Sequence, residues 1–244
     1  MSTPSLSIII ITLNEEARLP ALLGDLMRQT WADFEVIHMD SNSDDKTLEI
    51  SHRMSGEFPE YRTLAMQCRG VSLGRNTGAD LARADRLLFL DADTRLDPHF
   101  LEHAIDELET RDLEVGIACM SADGLPLRHR IGYFLFNAGI RLTARFFPTA
   151  IGACLFSERE IHDEIGGFDE EVSLCEDCNY VLKASRAPLA QIGVLKTRFR
   201  FDPRRLDQDG AIRTGLTYLR ANLHRYFKGE LRSGQIRYDF GHYR

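Results

Sequence analysis

A chain of 244 residues, 43% hydrophobic and 27% charged, has the profile of a soluble globular protein with one large domain, or one domain and a small appendage. Five cysteines without framework spacing, and no basic-then-apolar leader, point away from a disulfide-stapled secreted protein and toward reduced thiols in the cytoplasm. The net charge of −7 is uneven: residues 198–244 hold eleven Lys/Arg against five Asp/Glu, while the first 197 hold nineteen against thirty-two.

The first element is "LSIIII" at 6–11, an unbroken β-branched run of the kind found in strands covered on both faces, and too short to span a bilayer. Asn14 is placed to cap the next helix, where Leu19, Leu22, Leu23, Leu26 and Met27 recur at helical spacing. A second strand, "FEVIHM" at 34–39, runs into the polar "DSNSDDKT" at 40–47, where Asp45 and Thr47 suit a turn and a helix cap. A third strand is expected over 61–66, and "GVSLGRNTGADLARA" at 70–84 has three glycines and then a good helix former. "RLLFL" at 86–90 is again fully apolar, and Asp97-Pro98 reads as the N-cap and first position of a helix burying Phe100, Leu101, Ala104, Ile105 and Leu108.

Strands and helices alternate, so the fold class is α/β with a largely parallel sheet flanked by helices. Three strands end in polar residues: Thr12 to Glu15, Asp40 to Asp45, and Asp91 to Asp93. Ligands of open α/β sheets bind beyond such carboxyl ends, so these ends predict one crevice. No GxxxxGK[ST] is present, and Gly70, Gly74 and Gly78 do not fit GxGxxG. Asp91-Ala92-Asp93 is a carboxylate pair suited to a hard cation such as Mg²⁺ or Mn²⁺, which binds one or two carboxylates beside substrate phosphates. Alternation along a strand end lets one of the two ligate directly while the other acts through water or a hydroxyl.

The ordered motifs "TLNEE" (12–16), "DSNSDDKT" (40–47), "GRNTGA" (74–79), "LFLDADT" (88–94), "GGFDE" (166–170) and "CEDCNYVLKA" (175–184) resemble those of family 2 glycosyltransferases, over about the first 200 residues. The resemblance implies a GT-A catalytic domain at 1–200, with a nucleotide-binding half to about residue 95 and an acceptor half from 96, followed by a helical, basic, aromatic extension at 201–244. It implies inverting transfer of a sugar from a nucleotide diphosphate sugar, a UDP-sugar being favoured, to a saccharide or lipid-linked acceptor in cell-envelope glycan or glycolipid synthesis.

Carried over position by position, Thr12, Asn14, Glu15 and Asp40 line the base and ribose pocket. Arg75 and Asn76 lie near the nucleotide phosphates, and Gly74 and Gly78 permit close backbone approach. Asp93, with Asp91, holds Mg²⁺ or Mn²⁺. Phe168, Asp169 and Glu176 fall on the acceptor side, where Phe168 walls a sugar ring, and Asp177 is the base. Gly166 and Gly167 also fit a plain helix stop, and Glu176-Asp177 also fits an acidic helix start.

Two departures stand out. The segment "VLKTRFRFDPRR" lacks the late histidine that serves some members as a metal ligand, and the processive QxxRW motif is absent. "FDPRRLDQDG" resembles instead an Arg-Arg segment of small single-transfer bacterial members, placing Arg204 and Arg205 over the donor diphosphate. "CEDC" is a lone C-x-x-C without the second pair or redox context that zinc or thiol chemistry needs. The alternatives are a sugar-phosphate nucleotidyltransferase, for which "TLNEEARLP" lacks the Gly-rich basic loop, and a non-catalytic nucleotide-binding domain, which needs no base. The apolar "IGYFLFNAGIRLTARFFP" at 131–148, interrupted by Arg141 and Arg145, suits an interfacial or packed helix rather than a span. With the basic aromatic tail it suggests a cytoplasmic protein with peripheral contact to the anionic inner face of the membrane; the acidic body argues against nucleic acid.

Overall fold

The computed structural model of the chain describes residues 3–172, 174–201 and 211–232. Its centre is an eight-stranded sheet in the order β3-β2-β1-β4-β7-β6-β8-β5. The strands are β1 (Leu6–Thr12), β2 (Phe34–Asp40), β3 (Tyr61–Ala65), β4 (Arg86–Asp91), β5 (Thr94–Arg95), β6 (Val115–Met120), β7 (Cys154–Glu158) and β8 (Ile192–Phe201). β1 pairs in parallel with β2 and β4, β2 with β3, and β6 with β8; β7 is antiparallel to both its neighbours and β5 to β8. The expected largely parallel sheet is therefore mixed at two strands.

Alternation along the buried strands divides the core in two. Ile8 and Ile10 of β1 and Leu88 and Leu90 of β4 face one side, packing with α1 (Leu19–Met27) and α4 (Phe100–Thr110). Ile9, Ile11, Leu87 and Phe89 face the other, which also holds Ala79 of α3 (Val71–Leu81), Ile161 of α6 (Arg159–Glu164), and Tyr180 and Val181 of α7 (Glu176–Ala184). The remaining helices are α2 (Thr47–Met54), α5 (Leu127–Thr143) and α8 (Ala211–Lys228). This two-sided burial is why the strands read as unbroken apolar runs.

Two expected caps are absent. α1 begins after Arg18, and no side chain caps it; Asn14, in the left-handed region at φ 58°, instead accepts a bond from the backbone of Asp44. α4 begins at Phe100, where the Asp97 carbonyl accepts the Phe100 N–H; the exposed Asp97 carboxylate meets Arg200 instead. Gly74 and Gly78 do serve close approach, but to β1. A Cβ on Gly74 would lie 2.0 Å from Ile11 Cδ1, and one on Gly78 2.4 Å from Ile9 Cγ2.

Candidate active site

Register brings the predicted strand ends together: Thr12 stands opposite Asp40, and Ile11 opposite Asp91. The two loops beyond β1 and β2 are laced by short neutral bonds. Asn14 N–H donates to Ser43 Oγ (2.9 Å), Glu15 N–H to Thr47 Oγ1 (2.8 Å), and Asp44 N–H to Asn14 Oδ1 (2.8 Å). Two further bonds have carboxylate acceptors: Glu16 N–H donates to Asp45 Oδ2 (3.1 Å) and Lys46 N–H to Glu16 Oε2 (2.9 Å). Asp45 also accepts from the Thr47 N–H and hydroxyl, closing the expected turn before α2.

Behind this lacing runs a buried polar chain. Thr12 donates to Asp40 Oδ1 (3.1 Å) and meets His38 Nε2 at 2.8 Å, so the ring nitrogen is the donor there. Ser51 Oγ meets His38 Nδ1 at 2.7 Å. Burial holds the His38 pKa down at about 4, so the ring is neutral and serves the fold. Asp40 is buried and accepts three bonds, from Thr12 Oγ1, Ser43 N–H and Ser43 Oγ. Its carboxylate is turned into its own loop. A carboxylate has about four acceptor positions, so one remains for a ligand.

The Asp91–Asp93 turn is pinned on three sides. Asp91 N–H donates to the Ala153 carbonyl (3.2 Å) and Thr94 Oγ1 to the same oxygen (2.9 Å). Arg95 forks onto the buried Asp25 of α1 at 2.5 and 3.0 Å. Asp91 and Asp93 are both half-buried. Among the described residues no three His, Cys, Asp or Glu side chains gather as a metal cluster. One or two carboxylates beside a diphosphate is nonetheless a set that Mg²⁺ or Mn²⁺ accepts. The residues fit a cation that arrives with an anionic substrate rather than a protein-only cage.

Arg75 corrects a sequence expectation. Its guanidinium is buried, with Nη1 donating to Glu176 (2.9 Å) and Nη2 to Asp91 (2.9 Å) and the Gly152 carbonyl (3.1 Å), while Nε has no partner among the described residues. It lies 5.1 Å above the Phe168 ring. A fork filled by two carboxylates and a carbonyl is not offered to phosphates; Arg75 instead ties the Asp91 strand end to the start of α7. Asp91, Glu176 and Asp177 hold it protonated well above its ordinary range against the cost of burial.

Asp177 is half-buried, with Oδ2 accepting the Gly152 N–H (2.6 Å) and Oδ1 the Cys178 N–H (2.7 Å). Burial first, then the neighbouring Glu176 charge, raises its pKa to about 6, with Arg75 and the two N–H groups opposing. Glu176 and Asp177 also occupy the first turn of α7, as the acidic helix start foresaw. Gly152, unmarked by any motif, meets both Arg75 and Asp177; a Cβ there would lie 2.7 Å from Arg75 Nη2.

Asn76 likewise turns from the expected phosphates. It clips the 166–170 loop by accepting the Phe168 N–H (2.8 Å) and donating to the Phe168 carbonyl (2.9 Å) and Glu170 (3.0 Å). Gly166 and Gly167, with φ near 69° and 62°, end α6, their N–H groups bonding Asp163 and His162 carbonyls. Phe168 does not wall an acceptor pocket. It is in the core, stacked on Tyr180 at 4.3 Å and edge-on to Phe89 at 5.0 Å. Asp169 Oδ1 accepts the Glu171 N–H. Arg204 and Arg205 lie outside the described residues. All five cysteines are free thiols.

Residues 7–166 match the family model described as Glycosyl transferase family 2. The chain belongs to that family. A glycosyltransferase of PGL/p-HBAD biosynthesis from Mycobacterium bovis is 42% identical over 97 residues, which are 39% of this chain and 38% of that protein. The match thus spans under two fifths of the relative's length. A mannosyltransferase from Pyrobaculum calidifontis, solved with GDP-Man and Mn²⁺, superposes with TM-score 0.69 at 18% identity over 82% of this chain and 57% of the other. S. aureus TarS 1–349 in complex with UDP-GlcNAc gives 0.63 at 20% identity, covering 80% and 57%. The fold is that of the GT-A glycosyltransferases.

Proposed function

We propose that this family member transfers a sugar from a nucleotide diphosphate sugar to an acceptor hydroxyl, with inversion at the anomeric carbon. The observation that carries the reading is Asp177. This carboxylate is raised to about 6 at a helix start and joined through Gly152 and Arg75 to the strand end bearing Asp91. An alcohol is a poor nucleophile, so a base must take its proton as the new bond forms. With a pKa near 6, Asp177 is ionised at neutral pH yet more basic than an ordinary carboxylate. The acceptor oxygen bonds to the anomeric carbon, the bond to the donor diphosphate breaks, and the proton passes to Asp177. Arg75 holds Glu176 and Asp91 in register and acts as a positioning residue.

Asp93, with Asp91 through water or a hydroxyl, is the proposed holder of a divalent cation, which when bound neutralises charge on the leaving diphosphate. Base and ribose are proposed to meet Asn14, Glu15 and the fourth acceptor position of Asp40, with the buried Thr12 holding Asp40 from behind and a UDP-sugar the favoured donor. The GDP-Man and UDP-GlcNAc of the two solved neighbours support a nucleotide sugar without choosing one. The acceptor is proposed to be a saccharide or lipid-linked, used in cell-envelope glycan or glycolipid synthesis at the cytoplasmic side of a membrane.

The test is calorimetric binding of a nucleotide-sugar panel with and without Mn²⁺. At least one donor should bind more tightly with metal, and Asp93→Ala should remove that gain; binding of none, or an unchanged gain, sinks the reading. Asp177→Asn should abolish transfer while sparing donor affinity, and retained transfer moves the base elsewhere.

A further inference from the structure

The exposed apolar surface of this protein is concentrated in one place. Of fourteen large hydrophobic side chains exposed among the described residues, eleven lie on α5, the turn after it, and α8. On α5 and its turn they include Phe134 (70% exposed), Leu135 and Leu142 (75%); on α8 they include Leu219, Leu223 and Phe227 (74%). Both helices also have an inward face. Tyr133 and Ile140 of α5 enter the core, and Ala221 of α8 packs with Cys175 and Cys178 of the α7 segment. The two helices are joined by Phe136 against Tyr218, at 5.8 Å. Each is apolar inside and apolar outside, which water alone does not reward.

Charge selects the occupant. In a chain with 37 acidic residues, positions 124–157 contain no Asp or Glu, and neither do positions 210–229. Arg130, Arg141, Arg145, Arg220 and Lys228 are all exposed there. A cavity of about 560 Å³ opens beside the patch, between α7, the 145–148 turn and the end of α8, with the exposed Arg145 and Arg186 among its lining. Apolar stripes bordered by unopposed cations suit the interface of an anionic bilayer, where side chains enter the acyl boundary and guanidinium groups meet phosphates. No described helix is long and apolar enough to cross a membrane, so the contact is in the plane of the surface.

The geometry points to docking of the outer faces of α5 and α8 on an anionic lipid surface. Ala221 and Leu231 pack with Leu174, Cys175 and Cys178, which flank Glu176 and Asp177, so the inner face of the docked α8 adjoins the segment carrying the proposed base. An acceptor anchored in the same lipid would reach the site from that side, a consequence that rests on the transfer reading above.

The test is sedimentation of the full chain with phosphatidylcholine vesicles, alone or with about a third phosphatidylglycerol. Binding should need the anionic lipid and weaken in high salt. Arg130→Gln/Arg220→Gln should lower partitioning roughly 30-fold, and Phe134→Ser/Leu135→Ser at least about tenfold. Thermal melting should be unchanged for both variants, since the altered side chains are exposed. Equal sedimentation with both vesicle types, or none, overturns the proposal. So does analytical ultracentrifugation showing a dimer that Phe134→Ser/Leu135→Ser dissolves, because the patch would then face a second copy. Donor affinity measured without lipid separates the two readings: its loss defeats the transfer reading and leaves docking standing, and the reverse holds equally.

Discussion

The two sides of the crevice are held by different forces. On the side of Thr12 and Asp40, loops are fastened by many separate bonds, from backbone N–H groups to Ser43, Thr47 and Asn14 at about 2.8 to 2.9 Å and to single carboxylates of Asp40, Asp45 and Glu16. On the side of Asp177, a single buried guanidinium joins Asp91, Glu176 and Gly152, residues drawn from across the chain. Separate bonds contribute about 1–2 kcal/mol apiece and fail one at a time. A buried charge cluster fails as a unit, because removing one member leaves the others uncompensated. The proposed donor side should therefore tolerate substitution, and the proposed acceptor side should not.

The sharpest way to break this contrast is Arg75→Met. Stranding two half-buried carboxylates should lower stability by about 3 kcal/mol in urea denaturation, and Arg75→Lys should recover part of it by keeping charge without the fork. A loss under about 1 kcal/mol would show that the two sides are held alike. Next comes the pH profile. Because Asp177 has its pKa raised to about 6 and acts as the ionised base, transfer should fall about tenfold per unit below pH 6. Removing the like charge with Glu176→Gln should move that limb to lower pH; an unmoved limb would assign it to another group. The raised value also means that Asp177 favours folding at low pH and that this contribution fades as pH rises through about 6. Gly152→Ala should cost about 1–3 kcal/mol, since the methyl collides with the Arg75 guanidinium. The smallest effect expected is Thr47→Val, about 1–2 kcal/mol from the lost acceptor for Glu15 N–H and the lost hydroxyl donor to Asp45. Equal losses at Gly152 and Thr47 would erase the distinction.

The same contrast governs what was legible in the residues. β1, β2 and β4 are readable because strands buried on both faces leave continuous Ile, Val and Leu runs, and the register sets their polar ends side by side. β6 and β7 carry no motif, and β7 reverses direction, which no local pattern announces. Arg75, Asn76 and Phe168 stand out in the motifs, but the sequence does not show the protein groups that they meet. Their partners lie up to 101 positions away, and a sequence displays residue types without showing which face of a helix meets which distant loop. Gly152 was invisible for the same reason, its importance lying in the space it leaves open. Asn14 and Asp97 had the composition of caps, but one bonds the neighbouring loop and the other stands before a helix that begins three residues later.

The glycine pair of α3 acts as a gauge for the site. Gly74 and Gly78 seat the helix directly on Ile11 and Ile9 of β1, and Arg75 and Asn76 lie between those two contacts. The thickness of a single methyl group thus sets how far both side chains can reach. A bulkier residue at either glycine would lift the whole span at once, drawing Arg75 from Glu176 and Asn76 from the Phe168 loop together, though neither had itself been changed.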